Sequence, residues 1–170
     1  YFCPFSNTRF PFAKNNSILV PSPIFPVTLC LVCNIKQFNI NMESGIKFTL
    51  EKVVTNEMTA RNMASGTLDV FATPSMIALI EETAWKSVAQ EFEEGMGTVG
   101  ISLNVEHVAP TPVGMKVKCE TELVKVDGRK LDFKVEVYDE CDLIGKGTHS
   151  RFIVKNDKFQ VKANGKLGKA

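Results

Sequence analysis

From Thr98 onward the chain alternates apolar and polar residues with a period of two, the pattern of strands with one covered face. Val99, Ile101, Leu103, Val105 and His107 alternate with Thr98, Gly100, Ser102, Asn104 and Glu106, so His107 stands in line with four aliphatic residues. Pro110 to Gly114 turns the chain. Met115, Val117, Cys119, Thr121 and Leu123 then alternate with Lys116, Lys118, Glu120 and Glu122. The phase slips at Leu123-Val124, which predicts a bulge. Asp127-Gly128 predicts a tight hairpin into Leu131, Phe133, Val135 and Val137. After a turn near Asp139 to Asp142, the stretch Leu143 to Val154 puts Gly145, Gly147, His149 and Arg151 on one face. The two glycines leave room for close packing, by the helix or by a ligand. Ile46 to Val54 predicts a strand ahead of these, and Lys158 to Val161 a short last one.

Between the first two strands, Phe71 to Phe92 reads as one long helix. Thr73 is placed to cap it, and Pro74 suits its first position. Glu82, Lys86, Gln90 and Glu93 form one solvated stripe. Glu81 stands off that stripe, with Ile77, Ala78, Ala84 and Trp85 as its helical neighbours. Two readings stand: a helix-edge carboxylate that reaches water, or a desolvated acid facing a site. His107 likewise is either a core histidine satisfied by backbone or a site histidine at a strand end. Arg151 is either a surface ion pair or the partner of an anionic group. Thr55 to Gly66 reads as a short helix or a flap. One long helix against an antiparallel sheet gives an α+β domain.

Composition changes this picture at one place. The 170 residues carry a net charge of +1 and hold no apolar run long enough to span a membrane, so neither a nucleic-acid footprint nor a membrane anchor is expected. Residues 1–41, however, hold five of the eight prolines, half of the twelve phenylalanines and three basic residues with no acidic one. That composition reads as a leader, disordered or non-native, better matched by translated non-coding sequence than by a signal peptide. Cys30-x-x-Cys33 has no second pair and no histidine at zinc-finger spacing, so it reads as chance. Cys119 and Cys141 look like reduced thiols, which points to the cytoplasm. No Gly-rich phosphate loop, GxSxG elbow or metal-ligand cluster is present.

Three segments in order, FATPSMIALIEETA, GTVGISLNVEHVAPTPVG and DGRKLDFKVEVYDECDLIGKGTHSRFIV, resemble the hotdog-fold thioesterases, and more narrowly the fluoroacetyl-CoA thioesterase branch. The resemblance covers about Ile46 to Val161. It implies a hotdog fold for residues 42–161, one long central helix wrapped by a five- or six-stranded antiparallel sheet; the basic residues 162–170 that follow read, from their composition, as a flexible tail. It also implies a homodimer with sites at the subunit interface. The implied reaction is hydrolysis of an acyl-CoA thioester to free acid and CoA, with no metal and no cofactor beyond the CoA of the substrate. Carried over by motif, the catalytic threonine falls on Thr73, the glutamate on Glu81 and the histidine on His107. Substrate-binding positions fall on Gly100 and Arg151. Two departures bear on the acyl group: Pro74 stands where the branch has glycine, and Thr55 to Gly66 has no clear match to its phenylalanine gate. The competing reading is a non-catalytic hotdog module that binds acyl-CoA.

Such a hydrolysis needs a nucleophile or activated water, a base and donors for the developing oxyanion. His107 titrates near neutrality and suits the base. Glu81 can orient that ring, activate water or attack, and Thr73 can attack or position water. The helix N-terminus offers N–H donors, less the one that Pro74 lacks. Gly100 has opposite strand parity to His107, which a bulge, a twist or a second subunit must reconcile.

Overall fold

The structure, a computed structural model, describes residues 42–169. The leader and its Cys30–Cys33 pair lie outside the described residues. Five strands, β1 (Lys47–Val53), β2 (Met96–His107), β3 (Lys116–Asp127), β4 (Lys130–Asp139) and β5 (Leu143–Lys155), form one antiparallel sheet in the order β1-β3-β4-β5-β2. A single long helix, α1 (Thr73–Ser87), packs against all five.

The alternation read from the sequence sets the covered face. Val117, Cys119 and Leu123 of β3 and Leu131, Phe133, Val135 and Val137 of β4 are buried. Met76, Leu79, Ile80 and Ala84 of α1 meet them, which defines one face of the helix. Burying side chains of this size contributes roughly 1.5–3 kcal/mol each. The predicted bulge lies between Leu123 and Lys125, and Gly128 (φ +58°) makes the β3–β4 turn.

The two glycines of β5 admit protein rather than a ligand. A Cβ at Gly145 would lie 2.5 Å from Met76 Sδ, and one at Gly147 would lie 2.1 Å from the Asn104 carbonyl oxygen. Both positions let the sheet close on α1 and on β2.

Three expectations change. The helix stops at Ser87 and gives way to a 3₁₀ turn, Ala89–Glu91, because Gln90, Glu91, Glu93 and Glu94 are exposed and offer nothing to bury. The strand expected at Lys158 to Val161 is instead part of a second helix, α2 (Asn156–Asn164), in which Phe159 and Val161 are exposed and meet no sheet edge. Thr55 to Gly66 forms one 3₁₀ turn, Asn56–Met58, followed by turns, tied to the start of α1 by a bridge from Thr59 to Phe71. No helix among the described residues is long and apolar enough to cross a membrane.

Candidate active site

The entry to α1 is pinned by backbone bonds. Phe71 N–H donates to the Thr111 carbonyl at 2.8 Å and Ala72 N–H to the Met58 carbonyl at 2.9 Å. Ala72 takes the cap position in extended geometry, and Thr73 is the first helical residue, so its hydroxyl does not cap the helix as expected. The hydroxyl instead lies 2.9 Å from His107 Nδ1. His107 closes β2 opposite Gly145, with the Phe71 ring edge-on at 6.3 Å. Burial lowers its pKa below the ordinary histidine value, with the Ala109 backbone pulling the other way. The neutral ring is therefore favoured at neutral pH, and in the tautomer whose Nδ1 is bare the Thr73 hydroxyl has a base ready to take its proton. The other ring nitrogen, Nε2, is buried with no hydrogen-bond partner among the described residues.

Glu81 belongs to a second cluster. It lies eight residues after Thr73, about 12 Å further along the helix axis. Its Oε2 accepts from Arg151 Nη1 at 3.2 Å. Arg151 is buried, against the surface ion pair that is the commoner fate, and burial lowers its pKa while Glu81 raises it. Its Nε donates to Thr98 Oγ1 at 2.9 Å and its Nη2 to the Thr98 carbonyl at 3.0 Å. The helical neighbours of Glu81 are less buried than the sequence implies: Ile77 is intermediate, Ala78 exposed and Trp85 43% exposed. Among the described residues nothing covers this stripe fully.

Gly100 joins the second cluster because the β2–β5 register shifts between Gly100 and Ser102. That shift leaves Ile101 as the extra residue of a bulge. Gly100 pairs with Arg151 before the bulge, and His107 pairs with Gly145 after it. Residues opposite one another in a sheet share a face. Gly100 and His107 therefore both face α1, and the parity conflict is resolved within one chain. A Cβ at Gly100 would lie 3.1 Å from Glu81 Oε2 and 3.3 Å from His149 Cε1.

The predicted residues thus form two groups, Thr73 with His107, and Glu81 with Gly100 and Arg151. No hydrogen bond or ion pair joins Glu81 to His107 among the described residues. Sequence reasoning noted His149 on the glycine-rich face but gave it no role. It is buried against Arg151, and its alternation with Arg151 on a covered face was the available signal. Cys119 is no competing nucleophile, because burial pushes its pKa up to about 11.

Residues 54–157 match the family described as fluoroacetyl-CoA-specific thioesterases. The fluoroacetyl-CoA thioesterase of Streptantibioticus cattleyicolor is 35% identical over 131 residues, which cover 74% of this chain and 94% of that protein. A solved structure of a fluoroacetyl-CoA thioesterase, 35% identical, superposes with a TM-score of 0.71 over 74% of this chain and 97% of its own. A hot-dog-like protein from Thermanaerovibrio acidaminovorans, 18% identical, shares the fold with a TM-score of 0.67 over 74% of this chain and 93% of its own. The hotdog architecture expected from the sequence is the architecture observed.

Proposed function

The chain belongs to the fluoroacetyl-CoA-specific thioesterase family and is an acyl-CoA thioesterase; from that premise we propose that Thr73 and His107 carry the hydrolysis. The observation behind this assignment is the 2.9 Å approach of Thr73 Oγ1 to His107 Nδ1. As Oγ attacks the thioester carbonyl, its proton passes to the neutral imidazole. The C–S bond breaks, and the ring returns that proton to the CoA thiolate. Water then cleaves the acyl ester, releasing the free acid and restoring the hydroxyl. The N–H groups of Thr73 and Ser75 in the first turn of α1 are the donors available to the oxyanion, since Pro74 has none and Met76 N–H already serves the Ala72 carbonyl. No cofactor beyond the CoA of the substrate enters this scheme.

Glu81 has the chemistry to activate the water, but the two groups stand too far apart for one carbonyl to meet both. Gly100 and His107 are separated by roughly 20 Å of strand. We assign the missing contact to a second copy of the chain. β2 is an edge strand, and Ile101 (51% exposed) and Trp85 (43% exposed) flank Glu81 with uncovered apolar surface. Antiparallel self-pairing of β2 centred between Leu103 and Asn104 sets Gly100 of one protomer opposite His107 of its partner. It carries the Glu81 of one protomer toward the Thr73–His107 pair of its partner. The homodimer is therefore part of the proposal, and the free thiols Cys119 and Cys141 suit work in the cytoplasm.

The test is release of free thiol from a series of acyl-CoA thioesters. His107→Ala is expected to lower kcat by about 10²–10⁴-fold while the protein stays folded. Binding of acyl-CoA without thiol release from any thioester would make the protein a non-catalytic acyl-CoA module instead.

A further inference from the structure

His149 is buried, at 1% exposure, and every polar atom of its ring is engaged. Nδ1 lies 2.9 Å from the Ser102 carbonyl oxygen, and Nε2 lies 3.1 Å from Arg151 Nη1. These partners fix the tautomer. A carbonyl only accepts, so Nδ1 carries the hydrogen; a guanidinium only donates, so Nε2 offers its lone pair. A charged ring would turn an N–H against Arg151 and break the contact. The Phe133 ring of β4 stacks on the imidazole at 6.3 Å and holds its plane.

Arg151 is the next link. Its Nε, Nη1 and Nη2 donate to Thr98 Oγ1, to His149 and Glu81, and to the Thr98 carbonyl. Of the five N–H bonds of a guanidinium, this leaves one on Nη2 for anything else. A fork so occupied is built to hold a carboxylate in place rather than to receive a substrate.

We infer that His149 is a positioning residue for the thioester hydrolysis, locking Arg151 through Nε2 so that Arg151 holds the Glu81 carboxylate over Gly100. The inference rests on the proposed role of Glu81. The charged groups facing the ring are Arg151 from its own strand and Glu81 from α1. Burial and Arg151 both disfavour ring protonation, and only Glu81 and the Ser102 backbone oppose them. Arg151 thereby moves from the substrate-binding role implied by resemblance to a supporting one.

Ring ¹⁵N shifts of the unmodified protein test the tautomer directly. Protonated Nδ1 and bare Nε2 at neutral pH are expected; an Nε2–H tautomer or a charged ring overturns the inference. Two variants test its consequence. In His149→Gln the amide oxygen takes the place of Nε2 and still accepts from Arg151. In His149→Asn the amide can serve the Ser102 carbonyl, but nothing reaches Arg151. His149→Asn is expected to lose about 10²-fold in kcat, the usual cost of a misplaced catalytic group, with KM unchanged. His149→Gln is expected to regain most of that loss. Equal rates for His149→Asn and the unmodified enzyme, alongside a slow Glu81→Gln, overturn the positioning role alone. A Glu81→Gln enzyme at full rate overturns the Glu81 assignment and the inference with it.

Discussion

Glu81 and Arg151 form an ion pair of unequal partners: at 3.2 Å, the carboxylate side chain is 41% exposed and the guanidinium side chain 5%. The buried member depends on the exposed one. Arg151 is held by neutral oxygens at Thr98 and by a neutral imidazole, so Glu81 is the negative charge in contact with it among the described residues. Glu81 thus has a structural task as well as its proposed chemical one.

Removing that charge has a predictable sign. A buried carboxylate without partners would gain stability on becoming an amide, but Glu81 has a buried cation to neutralise. Glu81→Gln is therefore expected to lower the melting temperature as well as the rate. Glu82→Gln is the control. Glu82 bonds Lys52 of β1 and Lys86 at 2.6 Å, one residue along but on the solvated stripe. It should cost a little stability and leave kcat alone. Thermal melts and thiol release on both variants check the pair, and equal activity of the two removes Glu81 from the site.

Much of this was legible in the sequence because one covered face imposes a period of two. The bulge at Leu123 showed as a slip of phase. The bulge at Ile101 did not, because Val99, Ile101 and Leu103 keep alternating through it, and Ile101 is apolar although exposed in the protomer. Glu81 stood out as a carboxylate off its stripe. Of its two readings the structure combines both, since the carboxylate pairs with buried Arg151 and still reaches water beside exposed Ala78 and Trp85. The strand read at Lys158 to Val161 rested on too few residues to distinguish it from a helix turn. His149 showed only as a residue sharing the face of Arg151, and its role emerges where the Ser102 carbonyl of β2 and Arg151 of β5 meet at one ring.

Gly100 offers a test of crowding that leaves every charge in place. A methyl group there would press on Glu81 Oε2 and His149 Cε1 at 3.1 and 3.3 Å, while the backbone itself is free to accept alanine. Gly100→Ala is expected to fold normally and to lose about 10-fold or more in kcat as the carboxylate is displaced. Circular dichroism and steady-state kinetics decide it. Full activity would show that the Glu81 carboxylate can move without consequence.

The two histidines predict the acid response. Burial lowers the pKa of both His107 and His149 below the ordinary value of 6.5. As pH falls through about 6.5 the unfolded chain takes up protons that the folded chain refuses. Stability is therefore complete above that value and declines below it, down to the folded-state pKa values. The melting temperature should fall between about pH 7 and pH 5, and a His107→Gln, His149→Gln double variant should flatten that fall. The acid limb of kcat/KM, which reports protonation of His107 in the free enzyme, should have its midpoint below about 6.5. A midpoint well above that value would place a different group in the role of base.

The last prediction concerns whether one chain is enough. Glu81→Gln and His107→Ala are each expected to be slow as pure proteins. If Glu81 of one protomer serves His107 of the other, a mixed dimer of the two variants contains one site with both residues intact. Its other site carries both substitutions. Co-refolding or subunit exchange should then restore activity that neither variant has alone, approaching about a quarter of the unmodified rate at random pairing, since half of the dimers hold one working site of two. Sedimentation should show dimers at micromolar concentration, with the apolar surface around Ile101 and Trp85 covered. If each site instead lies within one chain, every mixed dimer has two damaged sites and mixing restores nothing. That result, obtained with dimers present, would leave the dimer standing but return Glu81 to the chain that carries it, and the gap between the two groups would have to be closed by the substrate or by a movement of α1.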